Sequence, residues 1–338
     1  MIINSIVSNQ TTKMPPLKTC SSKQAQVQMS ATSNTLNATG IYNTSLVHFT
    51  GGRHGYATDE TYRKELAKHL SCNPIDLKSV VGINELKYAL KNELRPENFD
   101  PGQNSENIKK GLFRANLHIH TVFSDGTMTP QMILDKAAEY AEKIKKPVFI
   151  TISDHNTLEG NKQALSIIAH NPNKYKNIRF VPGIEMRTQI HFNNPYPEEK
   201  PVYFEVHGYC TNPFNQELRE LLDKNKPTKF NQMKMDDISK ALKNDRSTLL
   251  SLAHPDRSKL DPRRTPEEFI QQFMHLGGKA VEAYYSYEQY PGCRQSSRIT
   301  DYLKDHVDNL GLLKTGGRDS HENNIFHMMD CYMENETK

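Results

Sequence analysis

The chain has 338 residues and a formal net charge of +4 at pH 7, a length that suits one large domain with a small extension. The small positive excess does not by itself indicate a nucleic-acid-binding protein. The five cysteines are scattered and form no Cys-x-x-Cys pair, which favours reduced thiols in a cytosolic protein over a disulfide framework.

The N-terminal part of the chain is polar. Residues 1–7 lack the basic region and the long apolar core of a signal peptide, and no apolar run is long enough to span a bilayer. We therefore expect a cytoplasmic protein without a membrane partner. Residues 9–43 are rich in Ser, Thr, Asn and Gln, so ordering them would bury too little surface to offset the lost entropy. This composition predicts that residues 1–50 are disordered.

A helical pattern follows in residues 51–110. Leu66 and Leu70 share one helical face, further apolar clusters continue to Leu94, and Asn73-Pro74 and Arg95-Pro96 supply helix stops. The spacing predicts two or three short helices. Such an extension acts either as a brace for the domain that follows or as a cap or partner-binding element, and its small size favours the brace.

Predicted strands alternate with predicted helices from residue 111 to residue 338, which indicates an α/β fold. Thr129-Pro130 supplies an N-cap and a first-turn proline, and Thr265 begins a capping box that Glu268 completes. A Pro-rich stretch at 193–201 and a Lys-rich stretch at 224–229 interrupt the alternation. Because loops at the rim of such folds commonly set substrate choice, both stretches are candidate specificity elements.

His118 and His120 are the most informative residues of the chain. In an extended strand, residues two apart point to the same face, so both imidazoles would project toward one point in space. Ser124-Asp125-Gly126 follows directly. A lone His-x-His pair is more often a coincidence than a metal site, so the interpretation depends on the rest of the chain.

The same arrangement recurs at five further predicted strands, each of which runs into His, Asp or Glu. The residues placed in this way are Asp154 and His155, Glu185, His207, His254, and Asp319 with His321. Because the carboxyl ends of parallel strands meet at one edge, these side chains are expected to lie together. The sequence therefore predicts a metal site at the C-terminal rim of a parallel sheet or barrel.

The ordered set of motifs resembles the PHP family, named for polymerase and histidinol phosphatase. His-x-His, Ser-Asp-Gly, Asp-His-Asn, Gly-x-Glu, a strand histidine, Ala-His-Pro and Asp-Ser-His occur between about Gly111 and Met329 in the family's order and spacing. The resemblance implies a distorted (β/α)7 barrel that holds three divalent metal ions, with the helical extension in front of it.

The resemblance also implies a ligand set. The first ion would be held by His118, His120, Glu185 and Asp319, the second by Glu185, His207 and His254, and the third by Asp125, His155 and His321. The family's strand usually reads His, two residues, then Gly-Tyr, whereas His207 directly precedes Gly208-Tyr209 and Glu205 stands two residues earlier. Either side chain could be the second-metal ligand. We prefer His207, because imidazole suits this role and Glu205 could support the ligands from outside.

The donor types indicate the ions and the chemistry. A mixed set of imidazoles and carboxylates suits Zn, Mn or Fe better than Mg or Ca. Such ions clamp phosphoryl oxygens and acidify a bound water, so the expected reaction is attack on phosphorus by a metal-activated hydroxide, without a catalytic side chain beyond the metal cluster. Arg257, Arg318 and the more weakly indicated Arg187 are candidates for binding the phosphate. Glu282 is either a support for the ligands or a structural carboxylate.

We therefore expect a hydrolase that acts on phosphoric ester bonds of a phosphorylated small molecule, a nucleotide or a short oligonucleotide, with no obligatory protein partner. The stretches 207–219 and 254–257 resemble the stand-alone phosphatase and exonuclease branch of the family. A histidinol-phosphate phosphatase is the alternative enzyme, and a noncatalytic metal-binding regulatory module is the alternative from another class. The length leaves no room for a polymerase domain.

Overall fold

The computed structural model describes residues 58–94, 114–225, 231–245, 247–285, 297–323 and 325. The segment predicted to be disordered, residues 1–50, lies outside these ranges, and so do residues 226–229 of the Lys-rich stretch. The domain boundary near residue 110 also falls outside them and stays a prediction. Within the described ranges, helices and strands follow one another along the chain, which confirms the predicted α/β class.

Residues 58–94 form two α-helices. Helix α1 spans Asp59–Leu70, helix α2 spans Ile83–Asn92, and a single 3-10 turn at Pro74–Leu77 lies between them. The hydroxyl of Thr58 accepts a hydrogen bond from the backbone N–H of Thr61 and so caps α1. Over residues 58–94 these elements confirm the prediction of two or three short helices.

Over the described residues the strands form two sheets. Their bounds are β1 Ala115–Ile119, β2 Val148–Ile152, β3 Ile178–Phe180, β4 Gly183–Ile190, β5 Val202–Tyr209, β6 Met233–Lys234, β7 Leu249–Leu252, β8 Gly278–Tyr284 and β9 Leu313–Gly316. The first sheet is parallel with the order β1-β2-β3, and the second has the order β6-β4-β5-β7-β8-β9. Strand β5 is antiparallel to both of its neighbours, β4 and β7. The β4–β5 hairpin therefore departs from the expected succession of parallel βα units.

Single backbone bridges connect the two sheets. Ile119 in β1 pairs with Ser320, and His155 after β2 pairs with Glu185 in β4. The N–H of His120 donates to the carbonyl oxygen of Ser320 over 2.9 Å. These contacts bring the carboxyl ends of β1 and β2 beside the second sheet, but the described strands do not form one closed barrel. The seven-unit barrel stays a prediction.

Within the described residues, six α-helices follow β1 and cover the sheets. They are α3 Pro130–Ile144, α4 Glu159–His170, α5 Gln216–Asn225, α6 Met235–Ala241, α7 Pro266–His275 and α8 Arg298–His306. Helices α1, α3 and α4 pack on the first sheet, and α5 to α8 pack on the second. The predicted helix starts are confirmed: Thr129 caps α3, and Thr265 and Glu268 form the capping box of α7.

Helix α2 packs against the amino ends of several strands. Its residues Leu86 and Leu90 belong to an apolar cluster with Ala115 at the start of β1, Phe149 near the start of β2 and Leu249 at the start of β7. Most of the predicted ligands follow the carboxyl ends of the parallel strands, so α2 lies at the opposite end. This is the position of a brace beneath the sheets, as the small size of the extension suggests.

Two of the five cysteines lie within the described residues. Cys72 and Cys210 are free thiols, and Cys210 is completely buried. Burial raises the pKa of the Cys210 thiol well above its ordinary value, which makes it a poor nucleophile. The other three cysteines lie outside the described residues. Among the described helices, none combines the length and the apolar character needed to cross a bilayer.

Candidate metal centre

Glu185 stands at the middle of a cluster of imidazoles. It is the third residue of β4, and its side chain is fully buried. Its Oε1 lies 2.9 Å from Nε2 of His254. Its Oε2 lies 3.2 Å from Nε2 of His118, 3.3 Å from Nε2 of His120 and 3.2 Å from Nδ1 of His155. One carboxylate therefore faces four imidazoles that come from different parts of the chain.

The predicted first set of ligands is brought together around one point. His118, His120, Glu185 and Asp319 each offer one donor atom, and these four atoms all lie within 4.8 Å of one another. Oδ1 of Asp319 is 3.2 Å from Nε2 of His118 and 3.1 Å from Nε2 of His120. All four residues are buried. Strand β1 aims the two imidazoles, and the loop after β9 brings the aspartate to them.

The predicted third set also converges. Oδ1 of Asp125 is 3.3 Å from Nε2 of His321, and its Oδ2 is 3.5 Å from Nε2 of His155. Nδ1 of His120 lies 3.5 Å from the same aspartate, so this group borders on the first one. The Asp125 side chain is 49% exposed, which places this group at the solvent side of the cluster.

For the second set the sequence left Glu205 and His207 as alternatives, and Glu205 is the one that lies beside His254. Oε2 of Glu205 lies 3.3 Å from Nε2 of His254, and the carboxylate groups with Glu185 and His155 within 4.8 Å. His207 instead lies behind the first set: its Nε2 is 3.1 Å from Nδ1 of His118, and the two rings meet edge to face at 4.2 Å. Burial, followed by the charge on His118, lowers the pKa of His207 well below its ordinary value.

The direction of β5 explains why Glu205 lies beside His254 and His207 does not. The sequence interpretation assumed a parallel strand, in which the residue nearest the carboxyl end lies nearest the rim. Because β5 runs antiparallel to β4 and β7, its amino end points to the rim. Glu205 therefore lies about 6.8 Å closer to the rim along the strand than His207.

Buried polar residues orient the ligands from behind. Oε1 of Glu282 lies 3.0 Å from Nδ1 of His118, and its Oε2 accepts the backbone N–H of His254 over 2.8 Å. Asp154, which sequence reasoning quoted but gave no role, accepts hydrogen bonds from the N–H and hydroxyl of Thr121 at 2.6 and 2.7 Å. It also accepts the Ser124 hydroxyl over 2.7 Å. These bonds fix the loop that carries Asp125.

Two of the three arginines predicted to bind phosphate donate hydrogen bonds to carboxylates of the cluster. Nη1 of Arg257 donates to Oδ2 of Asp319 over 3.2 Å, and the same oxygen accepts the hydroxyl of Tyr285 over 2.9 Å. Nε of Arg187 donates to Oε1 of Glu205 over 3.1 Å. Arg318 is placed by its backbone N–H, which donates to Oδ1 of Asn116. Tyr285 carried no specific prediction, although a tyrosine-rich stretch marks its position in the sequence.

The backbone is strained at two of the ligand positions. His254 has a φ of 23° and Asp319 a φ of 53°, both in the region that side chains other than glycine rarely adopt. Each such conformation costs on the order of 1–3 kcal/mol and persists only where surrounding contacts hold it. The strain lowers the stability of the fold, and it places these two side chains in the cluster.

The surroundings of Gly126 explain why the third residue of the Ser-Asp-Gly motif is a glycine. A Cβ at this position would overlap the carbonyl oxygen of His120. We expect Gly126→Ala to lower the free energy of unfolding by about 1–3 kcal/mol and to displace Asp125, reducing the number of bound ions. Urea unfolding and elemental analysis measure both effects.

Gly311→Ala serves as the control for this substitution. The added methyl group meets nothing within 4 Å, but φ is 67°, so a loss of stability without a change in metal content is expected. Full metal content in Gly126→Ala would contradict the role assigned to the glycine.

The residues present fit divalent cations. Nε2 of His118 and Nε2 of His120 are 3.1 Å apart and face the same carboxylates, an arrangement that a shared cation satisfies. Nδ1 of His155 is buried without a hydrogen-bond partner among the described residues, although Oε2 of Glu185 is 3.2 Å away. A buried polar atom left in this state costs about 1–3 kcal/mol, and ligation of an ion between the two residues removes that cost.

Metal binding should release protons. Burial of the His120 ring opposes protonation, but its hydrogen bonds with the Asp319 and Glu185 carboxylates raise its pKa to about 9. The ring is therefore protonated at neutral pH before an ion binds, and the ion must displace that proton. We expect apparent metal affinity to rise as the pH approaches the pKa of His120. Calorimetry in two buffers of different ionisation enthalpy measures the protons released, and a pH-independent affinity would contradict this expectation.

Comparison with known proteins gives similarity at the level of structure. No model of a known protein family matches the sequence, and no curated protein matches it. An amidohydrolase from Chromobacterium violaceum is similar with a TM-score of 0.45 and 16% identity, over 62% of this chain and 88% of that chain.

Two further similar structures are described as metal-dependent phosphoesterases. A protein from Bifidobacterium adolescentis that is assigned this activity has a TM-score of 0.36 and 18% identity, over 63% of this chain and 88% of that chain. A two-domain protein from Bacteroides vulgatus, assigned a PHP-like metal-dependent phosphoesterase, has a TM-score of 0.35 and 14% identity. That alignment covers 62% of this chain and about half, 52%, of the other. Of these structures, the one from Bacteroides vulgatus carries the name of the family that the motifs resemble.

Proposed function

We propose that the protein is a metal-dependent phosphoesterase whose centre holds three divalent ions. The observation that carries the proposal is the position of Glu185, whose two oxygens face the imidazoles of three adjacent ligand groups. Cations bound between buried carboxylates and imidazoles at these distances satisfy both kinds of group. Zn, Mn and Fe suit this mixed donor set.

We assign the ligands from these groups and from the contacts of His254. His118, His120, Glu185 and Asp319 hold the first ion, and Asp125, His155 and His321 hold the third. Glu185 and Glu205 hold the second together with His254, which contacts both carboxylates. Divalent ions at such a centre supply charge stabilisation for a phosphoryl group and a water of lowered pKa. The resemblance to PHP proteins further suggests that the strands form a distorted barrel, and the bridges at Ile119 and His155 support it.

The neighbouring side chains position the substrate. The Arg257 guanidinium is one-third exposed, and the contact with Asp319 engages its Nη1, so the remaining N–H groups are suited to bind phosphate oxygens. The Tyr285 ring packs edge-on against His254 at 5.4 Å. Burial raises the pKa of the Tyr285 phenol above its usual range, so the phenol stays protonated and its hydrogen bond to Oδ2 of Asp319 holds that carboxylate in place. A nucleotide or a short oligonucleotide is the proposed substrate.

A substrate screen tests the proposal. Protein stripped of metal is reconstituted with Zn, Mn or Fe and assayed against p-nitrophenyl phosphate, nucleoside monophosphates, short oligonucleotides and histidinol phosphate. We expect metal-dependent release of phosphate or mononucleotides, fastest from the nucleotide substrates. Preferential hydrolysis of histidinol phosphate would refute the proposed substrate class. Three bound ions without hydrolysis of any ester would refute the enzyme itself.

A further inference from the structure

The two faces of strand β5 have different surroundings. Val202, Phe204 and Val206 are buried in the apolar cluster of the second sheet. Because side chains alternate along a strand, Tyr203 lies on the opposite face, which it shares with Glu205. Neighbours on one face are about 6.8 Å apart, and the amino end of β5 points to the rim. Tyr203 therefore lies one step beyond Glu205, on the solvent side of the metal centre.

Strand β4 extends this face. Arg187 pairs with Glu205 and Gln189 pairs with Tyr203 in the antiparallel register, so the members of each pair lie side by side. Exposure increases outward from the buried Glu185: the Glu205 side chain is 17% exposed, that of Arg187 is 26% exposed, and Tyr203 is 39% exposed. Arg187, Gln189 and Tyr203 thus form an outer strip that leads from the metal centre to solvent.

The ring of Tyr203 is uncovered. In the loop that joins β4 to β5, the ring of Tyr196 is covered by the guanidinium groups of Arg263 and Arg264, which lie 4.8 and 4.5 Å from its centroid. Among the described residues, none stacks on the ring of Tyr203 or bonds to its hydroxyl. Its backbone is fixed, since its carbonyl oxygen accepts the N–H of Lys259 over 3.4 Å. An exposed aromatic ring on a fixed strand loses little entropy when it binds a planar ligand.

The charge and the spacing of the outer strip suit a nucleotide. A nucleotide carries its base one sugar away from its phosphate, and Tyr203 lies one step of the strand away from the proposed ligand Glu205. The partly exposed guanidinium of Arg187 lies beside Glu205, with its Nε 3.1 Å from Oε1 of that carboxylate, and adds positive charge near the phosphate. Lys259 is exposed and follows the strip outward.

We propose that the outer strip is a base-binding subsite, in which the base of a nucleotide stacks on the ring of Tyr203 while the phosphate lies on the metal centre. Aromatic side chains accept any base in this way, because every base has a π face. The amide of Gln189 is held in place, since its Nε2 donates to the carbonyl oxygen of Gln232 over 3.2 Å, and it is suited to bond the polar edge of a base. This inference rests on the proposed function and adds the residue that recognises the base.

The test compares two ligands that differ only in the base. Metal-loaded protein is titrated calorimetrically with the 5′- and 3′-phosphonate analogues of AMP, which resist hydrolysis, and with the matching ribose phosphonates. We expect the better AMP analogue to bind at least about fivefold more tightly than its ribose counterpart, the effect of one base stacked on an aromatic side chain. In Tyr203→Ala this preference should disappear, while the affinity for the ribose phosphonate stays the same.

Two variants separate stacking from general disruption. Tyr203→Phe keeps the ring and should keep the preference, and so should Tyr88→Ala, which removes a tyrosine that is 60% exposed on α2 at the opposite end of the strands. Equal affinity for the two ligands in the natural protein would overturn the inference, as would a preference that Tyr203→Ala leaves unchanged.

The same titration distinguishes this inference from the proposed function. A preference for the base that depends on Tyr203, in a protein that hydrolyses no ester, would uphold the subsite and refute the phosphoesterase. Metal-dependent hydrolysis of phosphoesters without any preference for the base would uphold the phosphoesterase and overturn the subsite.

Discussion

Glu185→Gln should abolish nearly all phosphoester hydrolysis, with a fall in kcat/KM of at least about 10³-fold. The substitution removes the negative charge that faces His118, His120, His155 and His254 at 2.9–3.3 Å. Metal ions at phosphoryl-transfer sites supply several kcal/mol of transition-state stabilisation, and each 1.4 kcal/mol corresponds to about tenfold in rate. Because Glu185 belongs to two of the proposed sites, the number of bound ions should fall as well.

Steady-state kinetics and elemental analysis measure this effect. Glu217→Gln is the matched control, because Glu217 is an exposed carboxylate on α5, and both its activity and its metal content should equal those of the natural protein. His120→Ala should also lose activity while circular dichroism shows a folded chain, since His120 borders the first and third groups. If Glu185→Gln retained half of the activity, the assignment of Glu185 to the metal centre would be wrong.

Removal of metal should lower the melting temperature by about 5–10 °C for each ion lost. Without ions the cluster keeps only the attraction between its carboxylates and protonated imidazoles, the buried Nδ1 of His155 stays unsatisfied, and strained His254 and Asp319 lose an ion that holds them. Ions at 100 times their dissociation constant contribute about 2.7 kcal/mol per site to the folded state. For a domain of this size, 1 kcal/mol shifts the melting temperature by roughly 2–4 °C.

Differential scanning fluorimetry with and without a chelator measures this shift. The natural protein and Glu217→Gln should show the same increment when Mn²⁺ or Zn²⁺ is restored. His120→Ala should show a smaller one, because its first site has lost a ligand. Equal melting temperatures with and without bound metal would mean that ion binding is not linked to folding, contrary to the fit of the cluster.

The sequence predicts most of the cluster because each motif is local. His118 and His120 share a strand face whatever the rest of the chain does, and Asp125 follows them within one loop. The order of the motifs then indicates which residues meet. The α/β class follows from the alternation of strands and helices, and the helix starts at Thr129 and Thr265 follow from their caps.

The sequence could not decide which of Glu205 and His207 lies nearer to the rim. Both residues lie on the same face of β5, so strand periodicity cannot separate them. The distinction depends on the direction of β5, which is set by pairing with β4 and β7. A prediction that assumes parallel strands throughout expects the carboxyl end of β5 at the rim, whereas its amino end lies there.

Of the supporting residues, Glu282 was left from the sequence as either a support for the ligands or a structural carboxylate, and Asp154 was given no role. Asp154 acts on Thr121 across 33 residues of sequence, and Glu282 acts on His118 across 164 residues. Their side chains are important because of their partners, and those partners are known only once the chain is folded. Buried carboxylates that follow or end a strand are therefore worth weighing as supports for nearby ligands.

The pairing of the first strand with the end of the chain sets the order of events during synthesis. The side chain of Asn116 donates to the hydroxyl of Ser320, a residue made 204 positions later. At about 5–20 residues per second, the ribosome needs roughly 10–40 s to make that stretch. Throughout this interval the two histidines of β1 lack their aspartate. The centre therefore assembles only after Asp319 has been made, and an ion captured earlier would occupy a site with part of its ligands.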